Sequence, residues 1–477
     1  FGRHDVNAML LYNQDELVNN VPGNNLINSL PKRKQGLAGR LSYAYDGKYM
    51  AEVNMGYNGS ENFAKGHRWG FFPSIALGYN ISEESFFEPL RKVITSMKLR
   101  GSWGLVGNDQ IGGERFIYMP TINLSGKGFT TGIDQNYGLS GPVYTRYENN
   151  SITWEVGEKI NLGIDLQLLN SLNIVVDIFR ETRRDIFQKK GTIPTYLGTG
   201  NTDVFGNLAE MKNQGLDLSI DYNKAFSKDF YMNFKGTFTY AHNEITKYDE
   251  APKYAFQSKV GQSANVSQGY LSNGLFLDEA EIDRYNQQMG STLGAGDIKY
   301  LNVSNMHGYG DDIVDVDDWT WIGNPTVPEI VYGFGPSFKY KNWDFSFFFQ
   351  GVAKTSLFMS GFHPFGDNSL RNVLQFVADD RWSPTNQNVD AKYPRLTIER
   401  SANNATTSTY WERDGAFLKL KNAEIGYTFK SMRFYLRGSN LLTFSKFKLW
   451  DPEQGGGNGL KYPTQRVFNI GFQMTIK

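Results

Sequence analysis

Apolar and polar side chains alternate along most of this chain. In VFNIGFQMTIK (467–477), Phe468, Ile470, Phe472, Met474 and Ile476 are apolar, and Asn469, Gly471, Gln473 and Thr475 between them are small or polar. Successive side chains of a strand point to opposite faces, so the segment predicts a strand with one greasy and one wet face. The same period recurs near 4–13, 36–46, 48–60, 69–80, 96–106, 152–168, 172–187, 207–223, 229–243, 330–341, 342–352, 416–429 and 431–442. That makes about fourteen strands. Helical periodicity is nearly absent; only EESFFEPLRKVITS (83–96) has room for a helical turn or two.

Seven of the clearest strands measure the contrast between the faces. Their apolar faces run through Tyr49–Tyr57, Met97–Leu105, Ile160–Leu168, Leu216–Tyr222, Met232–Tyr240, Trp343–Phe349 and Phe468–Ile476, taking every second residue. Of these 33 positions none is charged and two are glycine. The 26 positions between them hold eight charges: Glu52, Lys98, Arg100, Asp165, Asp217, Asp221, Lys235 and Asp344.

A soluble β-sandwich also alternates, its apolar faces meeting in a dry core. Three features favour lipid. The bands run about nine or ten residues, the length of a tilted strand crossing a bilayer. Aromatics gather at the band ends: Tyr49, Tyr79, Tyr222, Trp343 and Tyr427 toward one side, Tyr57 and Tyr240 toward the other. Such girdles suit the two lipid–water interfaces. Lys419 and Lys421, read on the same face as Ile425 and Tyr427, fall where a lipid-facing strand leaves the membrane.

Connections alternate in length. YDGKY, LNSL, NKAFSKD, KYKNW and FKSMRF are short; 107–151, 188–206, 244–329, 353–415 and 443–465 are long; 81–95 is the exception, of medium length where a short one is due. In an up-and-down antiparallel sheet every long loop then leaves at the same end, as in outer-membrane barrels. The expected fold is all-β, a transmembrane antiparallel up-and-down β-barrel, with the long loops extracellular.

Composition narrows the chemistry. Lys plus Arg equals Asp plus Glu at 49 each, which argues against a broad nucleic-acid surface. With no cysteine there are no disulfides, thiolate metal sites or cysteine nucleophiles. No apolar run approaches the roughly 18 residues of a membrane helix. The opening FGRHDVNAML already reads as a strand, with neither an initiator Met nor a signal-peptide pattern, and is expected to continue something longer.

Long ordered motifs resemble the SusC/RagA type of TonB-dependent outer-membrane transporter. They include GFFPSIALGYNISEESFFEPL (70–90), MKLRGSWGLVGNDQIG (97–112), NLAEMKNQGLDLSIDYN (207–223), IGNPTVPEIVYGFGPSFKYKNWDFSFFFQG (322–351), DGAFLKLKNAEIGYTF (414–429), LRGSNLLTFSKFKLWDPE (436–453) and YPTQRVFNIGFQ (462–473). The resemblance implies a roughly 22-stranded barrel filled by an N-terminal plug, of which this chain holds the last fourteen strands. The plug and the segment that meets TonB are then expected before Phe1. It also implies a SusD-like lipoprotein lid and a location in the outer membrane of a Gram-negative, Bacteroidota-type cell. One departure is the end: such strands usually finish in an aromatic, whereas here Ile476 and Lys477 are last and Phe472 lies further back.

The resemblance implies import of oligosaccharide or peptide fragments, energised through TonB, with no catalysis and no cofactor. A passive porin-type channel and a secreted sugar-binding β-protein are the alternatives. Family members often carry a calcium-type loop where this chain has NVSNMHGYGDDIVDVDDWTWIGNP (302–325). Here Asn302, Ser304 and Met306 replace the early acids and leave Asp311, Asp312, Asp315, Asp317 and Asp318. Calcium wants six to eight oxygens at fixed spacing, so a solvated acidic loop is the expected reading, with a calcium site the competing one. GNDQIGG (107–113) and EQGGGNG (453–459) lack the P-loop spacing and read as turns. Carboxylate pairs are unavoidable among 49 acids and do not single out a glycosidase. Tyr144, Trp319, Trp321, Trp382 and Trp411 are the loop aromatics able to stack on sugar rings or clasp a peptide; packing within the loops is the competing role.

Overall fold

The computed structural model describes residues 2–19, 26–110, 115–194, 196, 203–285, 287–289, 292–309, 311–362, 372–398 and 401–476. Fourteen strands form one sheet in chain order. They are β1 (His4–Leu17), β2 (Lys32–Tyr45), β3 (Tyr49–Ser60), β4 (Trp69–Asn80), β5 (Ile94–Asn108), β6 (Glu155–Leu168) and β7 (Leu172–Lys189). After them come β8 (Phe205–Ala225), β9 (Phe230–Lys247), β10 (Ile330–Tyr340), β11 (Trp343–Ala353), β12 (Phe417–Phe429), β13 (Met432–Ser445) and β14 (Val467–Met474). Each coincides with one of the segments expected from alternation. The helical stretch at 83–96 is realised as 3-10 turns at Ile81–Glu83 and Ser85–Leu90.

Short hairpins follow from turn chemistry. Asp46 and Gly47 have φ of 54° and 67°, and Leu169 and Asn170 have 50° and 55°. Two successive positive φ values are the type I′ signature, whose twist matches that of the flanking strands.

The chain divides into two compact units. One comprises Phe1–Leu218, Ala241–Ala251 and Lys259–Gln262; the other comprises Ser219–Tyr240, Pro252–Ser258 and Ser263–Lys477.

In the first unit, register places Val6, Tyr43, Ala51, Leu77, Gly101, Leu162 and Ile178 in one row across seven strands. One residue along, on the opposite face, run Asn7, Ser42, Glu52, Ala76, Ser102 and Asn161. The second unit repeats the pattern. Met232, Phe338, Phe345, Ile425, Leu436 and Ile470 form an apolar row beside Asn233, Ser337, Ser346, Glu424, Arg437 and Asn469. A sandwich would bury the apolar rows; here Leu162 is 63% exposed, Phe472 55% and Ile470 91%. The apolar face is thus an outer surface, suited to hydrocarbon.

Charges on the wet face pair across strands. In the first unit Arg100 reaches Asp165 on β6 (2.7 Å) and Asp177 on β7 (3.0 Å). In the second unit Arg433 on β13 joins Asp344 on β11 and Glu424 on β12. Aromatics stack at the band ends: Tyr49 on Tyr79 at 5.1 Å, Trp343 against Tyr427 at 4.8 Å, and Tyr57 on Trp69 at 4.7 Å.

One face assignment is corrected. Phe347 pairs with Ala423 and Phe348 with Asn422, but Phe349 pairs with Leu420, so Lys421 is an extra residue in β12. A bulge shifts parity, and a shift of one residue sends side chains to the other face. Leu418 and Leu420 therefore continue the apolar face with Phe349, Leu442 and Phe444. Lys419 turns to the wet face, where it is 1% exposed and bonded to Asp451 (2.5 Å) and Glu453; Lys421 meets Glu453 at 2.6 Å. These lysines anchor the 443–465 connection and mark no exit from lipid.

Candidate functional site

The buried hydrophobic clusters lie in the connections, not beneath the sheet. In the first unit Phe63, Ile117, Ile152 and Trp154 are buried together, with Phe72, Phe187 and Phe205 against them. The Trp154 indole N–H donates to the Arg68 carbonyl at 3.1 Å. Asp109 accepts from Lys34 and Ser60, both at 2.7 Å, pinning the start of the 107–151 connection to β2 and β3. Within that connection a two-stranded ribbon, Thr121–Thr131 paired with Tyr137–Arg146, exposes most of its side chains.

The second unit has the larger cluster, including Tyr270, Leu275, Tyr300, Met359, Phe362 and Trp411. A buried polar network holds it together. Asp297 is fully buried; Arg395 donates to both of its oxygens (2.7 and 2.9 Å) and the Asn404 amide donates at 2.8 Å. The hydrogen bonds to Asp297 raise the Arg395 guanidinium above its ordinary pKa, against the pull of burial. Gln288 donates to the Ile298 carbonyl (3.1 Å) and to Asn403 (2.9 Å), and accepts from the Tyr300 backbone N–H at 2.7 Å. Burial pushes the Tyr300 phenol far up, and its O–H donates to the Asn403 carbonyl at 2.7 Å. Buried polar groups satisfied this fully make two segments a hundred residues apart one folded body.

The five aromatics singled out from sequence are dispersed. Trp382 and Trp411 are 5% and 3% exposed within the second unit's cluster, and the Trp411 indole donates to the Asn404 carbonyl at 2.9 Å. The Trp382 ring lies 2.3 Å from where a Cβ on Gly296 would stand, and Gly296 has φ +86°, so only glycine fits beneath this indole. Trp321 is half-buried and donates to the Ser258 carbonyl at 2.8 Å. Trp319 remains exposed, edge-on to Tyr270 at 6.0 Å. Tyr144 lies on the first unit's ribbon, exposed and stacked on Tyr147 at 5.3 Å.

The acidic loop differs from the solvated loop expected. Asp318 is fully buried and accepts from the backbone N–H groups of Ser304 (2.8 Å) and Asp315 (2.9 Å). Asp311 accepts from the Asn302 amide and the Ser304 hydroxyl, both at 3.2 Å. Residues that replace the early acids thus act as donors to the later ones. Among the described residues no cluster of three His, Asp or Glu is arranged to hold a metal ion. In EQGGGNG, Gly455, Gly457 and Gly459 all have positive φ, as turns require; of GNDQIGG, residues 111–113 lie outside the described set.

Sequence reasoning missed the Asp297–Arg395 network and a group of rings in contact at Tyr254, Phe256, His307 and Tyr309. Neither leaves a periodic signal, because the partners lie far apart in irregular backbone.

An up-and-down sheet with one lipid-ready face, one charge-paired face and folded connections is the wall of an outer-membrane β-barrel. The chain belongs to the TonB-dependent receptor family: the model described as "TonB dependent receptor-like, beta-barrel" matches residues 1–441. It is 27% identical to TonB-dependent receptor P3 of Formosa agariphila, over 91% of this chain and 45% of that protein. It is likewise 27% identical to TonB-dependent receptor SusC of Bacteroides thetaiotaomicron, over 91% of this chain and 43% of that protein. The chain therefore spans somewhat less than half the length of these curated relatives. The solved RagAB peptide transporter shares the fold, with a TM-score of 0.73 at 20% identity over 99% of this chain and 53% of that one.

Proposed function

We propose that this chain is the barrel wall and outer loops of an active importer of nutrient polymer fragments, oligosaccharides or peptides. In this reading a SusD-like surface lipoprotein lids the long loops, and cargo is captured between lid and loops. An N-terminal plug, coupled to TonB, then releases it inward. This chain supplies wall and binding surface, not catalysis. The observation that carries the reading is the family match over residues 1–441 on a sheet whose apolar rows face outward. The relatives' names support it: SusC is a TonB-dependent receptor and RagAB a peptide transporter.

The test is flux. The full-length protein should pass no small solute through liposomes on its own, and uptake in cells should stop when TonB is deleted. An open conductance independent of TonB would instead identify a passive porin-type channel.

A further inference from the structure

On the outward face of the first unit one apolar row ends in a cation. The row runs from Ala8 through Leu41, Val53, Ile75 and Trp103 to Ile160, and its next member, on β7, is the exposed Arg180. On that face of β7, Arg180 follows Val176 and Ile178, which pair with Ile164 and Leu162. From the turn at Leu169 and Asn170 to Arg180 is roughly ten residues, the length of a strand that crosses a bilayer. Arg180 therefore stands where β7 leaves hydrocarbon, on the side of the 188–206 connection. Further along the same face comes the exposed Arg184, opposite Val156. On the neighbouring strand β8, the alternation that sets Ile220, Leu218 and Leu216 outward continues to Gln214 and Lys212, toward the same connection.

Other cations at this level have carboxylate partners. Arg33, on the same face of β2, meets Glu16 at 3.2 Å and Glu61 at 3.9 Å. Among the described residues Arg180 and Lys212 pair with no acid. Arg184 has Glu158 at 3.8 Å, and Glu158 also accepts from the Trp103 indole at 2.9 Å. Glu210, beyond Lys212, is taken up by Lys247 at 3.6 Å. The outward wall of β7 and β8 thus sets three cations against Glu158, directly beside lipid-facing side chains.

We propose that Arg180, Arg184 and Lys212 bind the phosphate of an outer-leaflet glycolipid of the lipid A type, whose acyl chains lie along Ile160 and Ile178. The leaflet follows from the orientation of the importer reading, in which the long connections face outward. A lipid suits the surface because the cations continue an apolar row, so one molecule meets both with its head group and its chains. A guanidinium takes phosphate in a two-pronged fork, and lysine adds a point charge. A long cationic side chain lays its stem along apolar neighbours while its head reaches the interface. Arg180 can therefore stay on the lipid-facing row and still meet a head group.

The test is native mass spectrometry of the full-length transporter in mild detergent, titrated with diphosphoryl lipid A. R180Q/R184Q/K212Q should weaken binding at least tenfold, and Arg33→Gln by less than twofold. Heat-modifiability on gels checks that the variants are folded. Lipid A stripped of its phosphates should bind wild type at least tenfold more weakly, a comparison that needs no variant. Equal binding with and without phosphate, binding that the triple variant retains, or displacement by millimolar inorganic phosphate would each overturn the lipid site. A wild-type dimer that the triple variant turns into monomer would put a second copy of the chain on this surface instead. An epitope inserted after Gly191 and probed on intact cells reads the orientation separately. If it is accessible while lipid A fails to bind, the lipid site falls and the importer stands; if it is inaccessible, both fall.

Discussion

Phe345 sits directly opposite Ile425 in the sheet, while its neighbour Ser346 sits opposite Glu424 on the other face. Both Phe345 and Ile425 stay exposed, at 38% and 37%. Protein layers that hide such a row are absent among the described residues; in the outer membrane, lipid covers it. This pairing supports a sharp asymmetry between adjacent positions. Phe347→Arg places a cation in hydrocarbon near the band centre and is expected to cost about 2–4 kcal/mol. Ser346→Arg, facing water beside Glu424, is expected to fold almost normally. Urea unfolding in lipid vesicles reads both, and equal tolerance at the two sites contradicts the face assignment.

Lys419 makes a second prediction. Its ammonium is buried between Asp451 and Glu453, and removing one partner of a buried ion cluster typically costs about 3–5 kcal/mol. Lys419→Met should therefore loosen the 443–465 connection, read as faster proteolysis there with the sheet intact. Lys421→Met, whose side chain is less buried, should do so more weakly.

Acid should mimic that loss. Burial opposes ionisation of Asp451 and Glu453, but hydrogen bonds from Lys419, joined by the Glu453 backbone N–H at Asp451 and by Lys421 at Glu453, outweigh it and hold both below their ordinary values. A carboxylate with a lowered folded pKa contributes stability that is complete above the ordinary carboxylate range and is lost as pH falls through the lowered value. Protease protection of the connection should be flat from neutral pH down to about 5 and should fall only below the usual range of Asp and Glu. Loss between pH 8 and 6 would contradict the assignment.

The acidic loop gives a chelator test. Asn302 and Ser304 supply donors to Asp311, and backbone N–H groups supply them to Asp318, so the loop's carboxylates have partners within the chain. EDTA should leave its proteolysis unchanged, whereas Asp318→Ala, which strands the backbone N–H groups of Ser304 and Asp315, should accelerate it at least tenfold. Protection that requires calcium would show that the hydrogen bonds are not sufficient.

The sheet was legible in sequence because a period of two, held across nine or ten residues, has one structural meaning once the bands are long enough to cross lipid. Every one of its strands was visible in that way, and the type I′ turn at Asp46–Gly47 was visible as a short connection. The bulge at Lys421 was not, since an extra residue leaves no mark until the partner strand is seen, and it inverted the reading of Lys419. The loop aromatics failed for a related reason. A tryptophan in a long connection carries no record of whether it faces solvent, like Trp319, or fills a core, like Trp411. The rings of Tyr254 and Tyr309 meet across more than fifty residues of irregular chain, which no local pattern encodes.

The most direct measurement is a label scan along β11. The chain has no cysteine, so a spin label introduced singly at each position from 343 to 349 reports that position alone within it. In vesicles, the odd positions should collide with oxygen, which concentrates in hydrocarbon, and the even ones with a water-soluble nickel chelate. Protection of Phe345 and Phe349 from both reagents would mean that protein, not lipid, covers the apolar rows, and the membrane wall would have to be abandoned.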